Sequence, residues 1–226
     1  MQASSTERET LPLYLNPDKQ AKPHTMKVGI AVVKKRVFDI VISIIVTVSV
    51  LIWLIPLLGL LIKLSSPGPV LFIQLRTGRF GRVFPCLKFR TMAHSTSAEF
   101  KQATRDDQRV TRLGKILRRT NLDEMPQFLN VLAGHMSIVG PRPHAIQHDA
   151  QYWHSLPGYK ERYVVKPGIT GLAQVRGARG ETRETYKMKV RVQYDSLYIR
   201  RQSTRLDAKI CLWTIKAALD GNKNAW

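Results

Sequence analysis

The hydrophobic pattern sets one long apolar run apart from shorter, mixed segments. Residues 40–62 carry no charged side chain, and the main interruptions are Ser43, Thr47, Ser49 and Pro56. At about 1.5 Å per residue, a helix of this length reaches across a hydrocarbon core of about 30 Å. The pattern therefore predicts a membrane-embedded helix over residues 33–64 rather than the core helix of a soluble domain.

The charges beside this run leave its topology open. Lys34, Lys35 and Arg36 precede it and Lys63 follows it, so the positive-inside rule finds no asymmetry. Pro56 removes a backbone hydrogen bond and crowds the preceding turn, which makes it the predicted membrane bend. A re-entrant helix would enter and leave on one side, whereas the alternative is a helix that spans the bilayer.

The segments after the run predict an α+β domain that is mostly helical. Apolar stretches around a glycine turn predict a β-hairpin with strands at 70–75 and 82–89. Helices are predicted at 114–132, 145–163 and 184–201, and loops at 94–112, 134–144 and 166–177, with a short helix in the first loop and a strand in the last. The predicted organisation is a disordered tail (1–32), the membrane helix (33–64), a folded domain (65–220) and a short tail (221–226).

The last helical pattern, over 206–219, is amphipathic. One stripe combines apolar side chains with two flanking lysines, Lys209 and Lys216; its members are Leu206, Ile210, Trp213 and Ala217. Such a helix suits a membrane interface, with the tryptophan at the level of the lipid headgroups. Docking of the same stripe onto the domain's own core is the alternative reading.

Charge adds an anionic partner to this picture. The chain has 36 Lys and Arg against 16 Asp and Glu, a formal net charge of +20. Nucleic acid, an anionic membrane surface and phosphorylated substrates are the candidates. The apolar run and the lack of a recognised nucleic-acid motif argue against nucleic acid. Cys86 and Cys211 lie in no metal-ligand spacing, which indicates a reducing compartment rather than a secreted protein.

Candidate chemistry centres on the adjacent acids Asp123 and Glu124. Their structural interpretation is a pair of capping boxes, Thr120 with Asp123 and Asn121 with Glu124, at a helix start. Pro126 opposes a simple helix that begins at Thr120, because it would fall inside that helix. The backbone at 123–126 is therefore predicted to be irregular or terminal.

Basic residues near the pair support a second, functional interpretation. Lys88 and Arg90 end the predicted hairpin, Arg118 comes just before the acids, and Arg142 lies between two prolines. Arginine forks grip phosphate oxygens, and a carboxylate among them can serve as a nucleophile toward phosphorus or as a magnesium ligand. His135, His144 and His148 show no ligand spacing and are predicted to lie in loops or on the surface.

Six ordered blocks resemble the bacterial sugar transferases, the monotopic polyprenyl-phosphate phosphoglycosyl transferases. The resemblance covers residues 33–220 and rests on KRVFDI, FxQxRxGxxGxxFxxxKFRTM (72–92), DQRVTRLGKILRRTNLDEMPQ (107–127), SIVGPRP (137–143), KPGITGLAQV (166–175) and RGETxxxxKMxxRV (179–192). It implies an enzyme of the bacterial inner membrane with its catalytic domain in the cytoplasm. Such an enzyme moves a hexose-1-phosphate from a UDP-sugar to undecaprenyl phosphate and releases UMP.

The resemblance also implies roles for single residues. Asp123 matches the family's nucleophile, which forms a covalent phosphosugar intermediate, and Glu124 matches its magnesium-associated acid. The predicted Mg²⁺ ligands are thus Asp123 and Glu124, while Lys88, Arg118 and Arg142 match basic positions linked to phosphate. The family's membrane helix is re-entrant, which favours that topology here.

The C-terminal block resembles most closely the branch that transfers glucose-1-phosphate to prime exopolysaccharides. Galactose-1-phosphate or another sugar phosphate is an alternative, and a homo-oligomer is left open. Three departures from the family pattern support a further alternative, a catalytically weak scaffold in a polysaccharide assembly complex. Trp53 occupies the usual proline position, His135 replaces an acid, and RQST (201–204) lacks the usual aromatic residue.

Overall fold

The computed structural model describes residues 30–93, 107–180 and 185–220. The predicted tails at 1–32 and 221–226 and the predicted loop at 94–112 lie wholly or largely outside these residues. The described chain is mostly helical and includes two small sheets, which confirms the predicted α+β class. Its helices are α1 (Ile30–Val46), α2 (Ile52–Ser65), α3 (Arg112–Thr120), α4 (Gln127–Leu132), α5 (Ile146–Tyr152), α6 (Leu172–Val175), α7 (Thr185–Arg201) and α8 (Thr204–Leu219).

The first sheet is the predicted hairpin. Strand β1 (Leu71–Thr77) pairs antiparallel with β2 (Val83–Phe89), and Phe72 lies opposite Lys88. The turn between them contains a short 3₁₀ segment with Phe80 at φ 57° and Gly81 at φ 74°. These left-handed conformations let the chain reverse in few residues.

The second sheet was not predicted as such. Strand β3 (Ser137–Val139) pairs in parallel with β4 (Gly168–Thr170), which joins two segments far apart in sequence. A Cβ atom at Gly140 would lie 2.4 Å from the Lys166 carbonyl oxygen, so only glycine allows this close approach. The sheet fixes the loop that follows β3, the Pro-Arg-Pro segment.

Helices α1 and α2 form one continuous apolar helix, Ala31–Ser65, that is long enough to cross a membrane and is mostly unburied. Its departure from α-helical hydrogen bonding is a π-helical turn at Thr47–Leu51, and Pro56 lies inside α2. A π turn widens the helix and is a common site of kinks. The irregularity therefore lies one turn before the proline at which a bend was predicted.

Both ends of the apolar helix are anchored to the same domain. Near its start, Lys35 Nζ lies 2.9 Å from the Asp207 carboxylate, and Asp39 accepts hydrogen bonds from Ser137. Near its end, Ile62 is buried with Phe89 in one apolar cluster. The apolar segment between these anchors is largely exposed, as expected for a surface that contacts lipid.

Helix α8 combines the two readings of its pattern. Ile210 of the predicted stripe is fully buried in the largest apolar cluster, so the stripe docks onto the domain core. A second apolar row, Leu212, Ile215 and Leu219, is exposed. The helix is thus packed on one side and carries an uncovered apolar side suited to an interface with lipid.

Candidate active site

The acidic pair lies at a sharp corner between two helices. Helix α3 ends at Asn121, which adopts the left-handed conformation (φ 57°, ψ 17°), and a 3₁₀ turn follows at Leu122–Glu124. Asparagine tolerates this conformation better than most residues. Pro126 then stands directly before α4, where its missing N–H costs no hydrogen bond. The predicted irregular backbone at 123–126 is confirmed.

Neither predicted capping box forms. Thr120 Oγ1 donates backward to the Ile116 and Leu117 carbonyl oxygens, and the 3₁₀ turn has no side-chain cap. The Asn121 side chain instead accepts a hydrogen bond of 2.9 Å from Arg179. Helix capping therefore does not explain why two acids stand at this corner.

Substitution of Asn121 tests whether its backbone conformation or its side-chain contact stabilises the corner. We expect Asn121→Ala to lower the free energy of unfolding by about 1–2 kcal/mol, because alanine resists the left-handed conformation. Asn121→Gly keeps that conformation but loses the Arg179 contact, so it should be distinctly milder. Thermal unfolding of both variants measures the difference, and equal destabilisation would show that the side-chain contact, not the backbone, holds the corner.

Glu124 is the most heavily paired group of the site. Lys88 Nζ donates to Oε1 over 2.6 Å, Arg142 NH1 donates to Oε2 over 2.9 Å, and Arg142 NH2 also donates to Oε1. Burial opposes ionisation of Glu124, but Arg142 and Lys88 outweigh it and hold its pKa well below the ordinary value. The Glu124 carboxylate is therefore charged, and it fixes two cations at defined positions.

Asp123 has the opposite environment. Its side chain is buried, and within the described parts of the chain no group donates a hydrogen bond to its carboxylate. Burial and the neighbouring Glu124 charge raise the pKa of Asp123 to about 6, although Lys88, Arg118 and Arg142 oppose the shift. At neutral pH the group is a poorly solvated carboxylate with unoccupied lone pairs, which is the state that a nucleophile needs.

Arg118 is held by its inner nitrogen. Its Nε donates to Thr91 Oγ1 over 2.9 Å, and in the described residues its two terminal amino groups make no hydrogen bond. The positive charge of Arg118 lowers the pKa of nearby Asp123. Arg118 can therefore offer a two-pronged donor to a phosphate beside the acidic corner.

The structure does not bring Arg90 to this cluster. Its guanidinium group is buried and donates to the Pro67 and Ser66 carbonyl oxygens, each over 2.7 Å, at the end of the membrane helix. These bonds hold the turn that follows the apolar helix. Arg90 joins the membrane helix to the hairpin, and we do not include it in the candidate site.

Helix α4 positions Lys88 through a polar contact. Asn130 Oδ1 accepts from the Leu87 backbone N–H over 2.9 Å, and its Nδ2 donates to the Pro85 carbonyl oxygen over 2.7 Å. These two bonds tie strand β2 to the helix that follows the acidic corner. Lys88, one residue further along β2, is thereby placed beside Glu124.

A buried network holds Arg142 from behind. Arg162 NH2 donates to the Arg142 carbonyl oxygen over 2.8 Å, while Arg162 Nε pairs with Asp195 over 2.7 Å. His144 lies in a loop, as predicted, but not at the surface: its side chain is buried and its Nδ1 lies 2.7 Å from Tyr159 Oη. His144 lies next to Pro143 and closes one side of this network, whereas His135 is exposed as predicted.

Two further arginines reach the site from the C-terminal half. Arg191 donates to the Ala178 and Gly180 carbonyl oxygens over 3.1 and 3.0 Å. This fixes the intervening Arg179, which contacts Asn121 at the acidic corner. Both arginines lie in the 179–192 block that resembles the family, but no spacing rule predicts that Arg179 contacts Asn121, 58 residues away.

Donor capacity at the corner fits a single divalent cation. The described residues contain no cluster of three or more His, Cys, Asp or Glu, so a dedicated protein cage is not available within them. Magnesium, however, is usually held by one or two carboxylates together with substrate phosphates and water. The Asp123 carboxylate accepts no donor from described residues, and Glu124 Oε2 accepts only one. The predicted ligand pair therefore retains room for Mg²⁺.

Comparison with known proteins decides the family. The model of the family described as bacterial sugar transferase matches residues 30–221, most of the chain. The chain belongs to the bacterial sugar transferase family. The match spans both the apolar helix and the acidic corner, so the whole described fold is that of this family.

Three curated relatives of the bacterial sugar transferase family are close in sequence. The UDP-glucose:undecaprenyl-phosphate glucose-1-phosphate transferase of Xanthomonas campestris pv. campestris is 53% identical over 169 residues, which cover 73% of this chain and 34% of the relative. The protein of the same name from Caulobacter vibrioides is 48% identical, over 82% of this chain and 70% of its own length. The exopolysaccharide production protein PSS of Rhizobium leguminosarum bv. phaseoli is 45% identical, over 84% and 98%.

The chain thus matches about a third of the Xanthomonas relative and nearly all of the Rhizobium one. Because each match covers at least 73% of this chain, the matched stretch spans positions 88–142 in all three comparisons.

Proposed function

We propose that this chain transfers glucose-1-phosphate from UDP-glucose to undecaprenyl phosphate, releases UMP, and so primes the synthesis of an exopolysaccharide. The observation that carries the proposal is the acidic corner: one buried carboxylate without donors from the described residues, Asp123, stands among three cations, Lys88, Arg118 and Arg142. Such a group is suited to attack phosphorus, and the cations are suited to hold anionic reactants beside it. The names of the relatives supply the substrate class.

Asp123 is the proposed nucleophile of a double displacement. Its carboxylate oxygen attacks the phosphorus that carries the sugar, the bond from that phosphorus to the bridging oxygen breaks, and UMP leaves with the electron pair. A phosphosugar remains esterified to Asp123. An oxygen of the lipid phosphate then attacks the same phosphorus, and the carboxylate leaves, so the enzyme returns to its starting state.

Glu124 has a different proposed role from its neighbour. It holds Lys88 and Arg142 in place, and these ion pairs make it a poorer nucleophile than Asp123. Both cations lie within reach of a phosphate at the Asp123 carboxylate, where they offset the repulsion between an anionic substrate and the attacking group. Asp123 and Glu124 would together hold Mg²⁺, which when bound neutralises part of the charge of the diphosphate.

The first half of the reaction can be tested without the lipid acceptor. With Mg²⁺ and UDP-glucose labelled in its glucose moiety, the purified chain should release UMP in a burst of less than one UMP per protein molecule. The label should stay on the protein through denaturation. Addition of undecaprenyl phosphate should move that label into lipid. If no label is retained and UMP appears only when the lipid is present, a direct single displacement is indicated instead.

The sugar is tested by competition among donors. A panel of UDP-glucose, UDP-galactose and UDP-N-acetylgalactosamine should show the highest kcat/KM for UDP-glucose, with product identified by mass spectrometry of the lipid. A preference for galactose would move the chain to another branch of the family's chemistry. Absence of turnover with every donor would favour the scaffold alternative.

We further propose that the apolar helix is re-entrant and that the folded domain faces the cytoplasm from the inner membrane. Support comes from its two anchors, since Lys35 and Asp39 at one end and Ile62 at the other contact the same domain. A helix that crossed the bilayer would leave its two ends on opposite sides. The π turn at Thr47–Leu51 is a place where such a helix can change direction.

Labelling of single cysteines tests this topology. In a background with Cys86 and Cys211 replaced by serine, Ala31→Cys and Leu64→Cys place exposed thiols at the two ends of the helix. An impermeant maleimide should label both in inverted inner-membrane vesicles and neither in right-side-out spheroplasts. Lys160→Cys, exposed in the folded domain, marks the cytoplasmic side. Labelling of the two ends from opposite sides would establish a spanning helix.

A further inference from the structure

A groove separate from the acidic corner runs along the start of the membrane helix. It has a volume of about 680 Å³ and lies between helix α1 and the beginning of α8. Val33, Val37 and Val41 line it from α1 and are 61%, 54% and 48% exposed. Because these residues are spaced four apart, they form one apolar rail about 12 Å long.

The groove is also lined by positively charged side chains, one of them beside the start of the apolar rail. Lys34 of α1 and Arg205 of α8 both line it and are both exposed. The first turn of α8 also faces the groove through Ser203 and Thr204, and a helix start attracts negative charge. Asp39 of α1 and Asp207 of α8 are both buried, and Asp207 is paired with Lys35, so neither offsets these charges at the surface.

The charged and apolar parts of the groove match the headgroup and acyl chain of a lipid. A cationic head site leads into an apolar rail that descends along a membrane helix, which is how a phospholipid presents an anionic headgroup above an acyl chain. We propose that the groove binds an anionic phospholipid of the surrounding bilayer, with its phosphate at Lys34 and Arg205 and one acyl chain along Val33, Val37 and Val41. The lipid would join α1 to α8, which meet at few other points.

The groove is better suited to a bilayer lipid than to the polyprenyl acceptor. None of the described residues that line it belongs to the acidic corner, and Arg36, beside it on α1, points away to the carbonyl oxygens of Val131 and Leu132 at the far end of helix α4. A phosphate bound at Arg205 would therefore not face Asp123. The proposal goes beyond the proposed transfer reaction and does not depend on it.

Native mass spectrometry of the detergent-purified full chain tests the site with defined lipids. The probes are palmitoyl-oleoyl phosphatidylglycerol, which is anionic, and the phosphatidylcholine with the same chains, which is zwitterionic. We expect the first phosphatidylglycerol molecule to bind more tightly than the first phosphatidylcholine molecule. Lys34→Gln/Arg205→Gln should weaken phosphatidylglycerol by about 30-fold, as two basic residues near an anionic lipid imply, and leave phosphatidylcholine unchanged.

Two further variants make the result specific. Lys209→Gln/Lys216→Gln removes the same charge from exposed positions of α8 outside the groove, and it should change binding less than twofold. Val37→Trp fills the rail without a charge change and should weaken both lipids. If the Lys209→Gln/Lys216→Gln variant lost as much affinity for phosphatidylglycerol as the Lys34→Gln/Arg205→Gln variant, the effect would come from surface charge in general and not from the groove. Equal binding of the two lipids, or unchanged binding in Val37→Trp, would overturn the proposal.

Release of UMP in lipid-free detergent separates this inference from the transfer reaction. Lys34 and Arg205 lie outside the acidic corner, so the Lys34→Gln/Arg205→Gln variant should release UMP at the wild-type rate. Loss of lipid binding with unchanged UMP release is therefore the expected pair of results. A wild-type chain that binds phosphatidylglycerol as proposed but releases no UMP would contradict the proposed function alone.

Discussion

Asp123→Asn should abolish formation of the labelled phosphosugar intermediate while making the protein more stable. Asparagine is nearly the same size but lacks the nucleophilic charge, so we expect UMP release to fall by at least about 10³-fold. The gain in stability follows from the raised pKa. A buried carboxylate without hydrogen-bond donors among the described residues costs free energy whenever it is ionised.

The pH dependence of that gain has a definite sign. The folded-state pKa of Asp123 is about 6, above the ordinary value of 3.8, so the wild type is favoured at low pH and loses stability as pH rises through 6. The penalty at pH 7.5 is at most about 3 kcal/mol, because one pKa unit corresponds to about 1.4 kcal/mol. Asp123→Asn has no such penalty, so its advantage should be absent below pH 4, grow between pH 4 and pH 6, and be complete above pH 6.

Thermal unfolding in detergent with EDTA, at pH 4 and pH 7.5, measures this difference. The control is Asp220→Asn, the same substitution at an exposed position, which should change neither the Tm nor its pH dependence. A lower Tm for Asp123→Asn at pH 7.5 would mean that the carboxylate stabilises the corner. Its loss of activity would then reflect structure rather than the missing nucleophile.

Glu124→Gln should lose both activity and stability, in contrast to its neighbour. The substitution leaves Lys88 and Arg142 close together without their shared counter-charge, and breaking such a buried pair is costly. Because Lys88 and Arg142 keep 16% and 30% of their side chains exposed, we expect about 2 kcal/mol rather than the full cost of a fully buried pair. Activity should fall because the two cations are no longer held in place.

Glu124→Gln also changes the titration of Asp123 in a predictable direction. The Glu124 charge is one of the causes that raise the pKa of Asp123, so its removal should move the acidic limb of the pH–rate profile to lower pH. Glu161→Gln, an exposed position that accepts one hydrogen bond from Ser196, is the matched control. A Glu124→Gln protein with wild-type Tm and activity would show that the ion pairs are incidental.

The two acids therefore differ in kind although they are adjacent in sequence. The Asp123 carboxylate forms no hydrogen bond with the described residues and lowers the stability of the fold, whereas the Glu124 carboxylate forms ion pairs with Lys88 and Arg142. This division is typical of active sites, where one group is kept reactive by others that are fully paired. It also explains why a scarce acidic pair occurs in a strongly basic chain: each carboxylate is surrounded by the cations that an anionic substrate requires.

Local patterns in the sequence predicted the hairpin and most of the helices, although the helix predicted over 145–163 ends at Tyr152 and the one predicted over 114–132 breaks at the acidic corner. The uninterrupted apolar run predicts the membrane helix, the alternation around a glycine turn predicts β1 and β2, and periodicity predicts α7 and α8 within a few residues of their observed bounds. The irregular backbone at the acidic corner was also predictable. Pro126 predicts it, whereas the left-handed conformation of Asn121 is found only in the structure.

The tertiary structure alone decided which charges meet. Arg90 and Arg142 were both predicted to bind phosphate. In the structure Arg90 donates to the Ser66 carbonyl oxygen after the apolar helix, whereas Arg142 donates to Glu124. His144 is buried because distant segments pack around it, and the short β3–β4 pair joins residues some thirty positions apart. Strands of three residues are too short to show a periodic pattern that would predict their pairing with a distant segment. The sequence around a charged side chain likewise does not indicate which distant residue it contacts. Local patterns and charge predicted where most helices run and an anionic partner, whereas the packing of distant segments places Lys88 and Arg142 on Glu124 and leaves Asp123 without donors from the described residues.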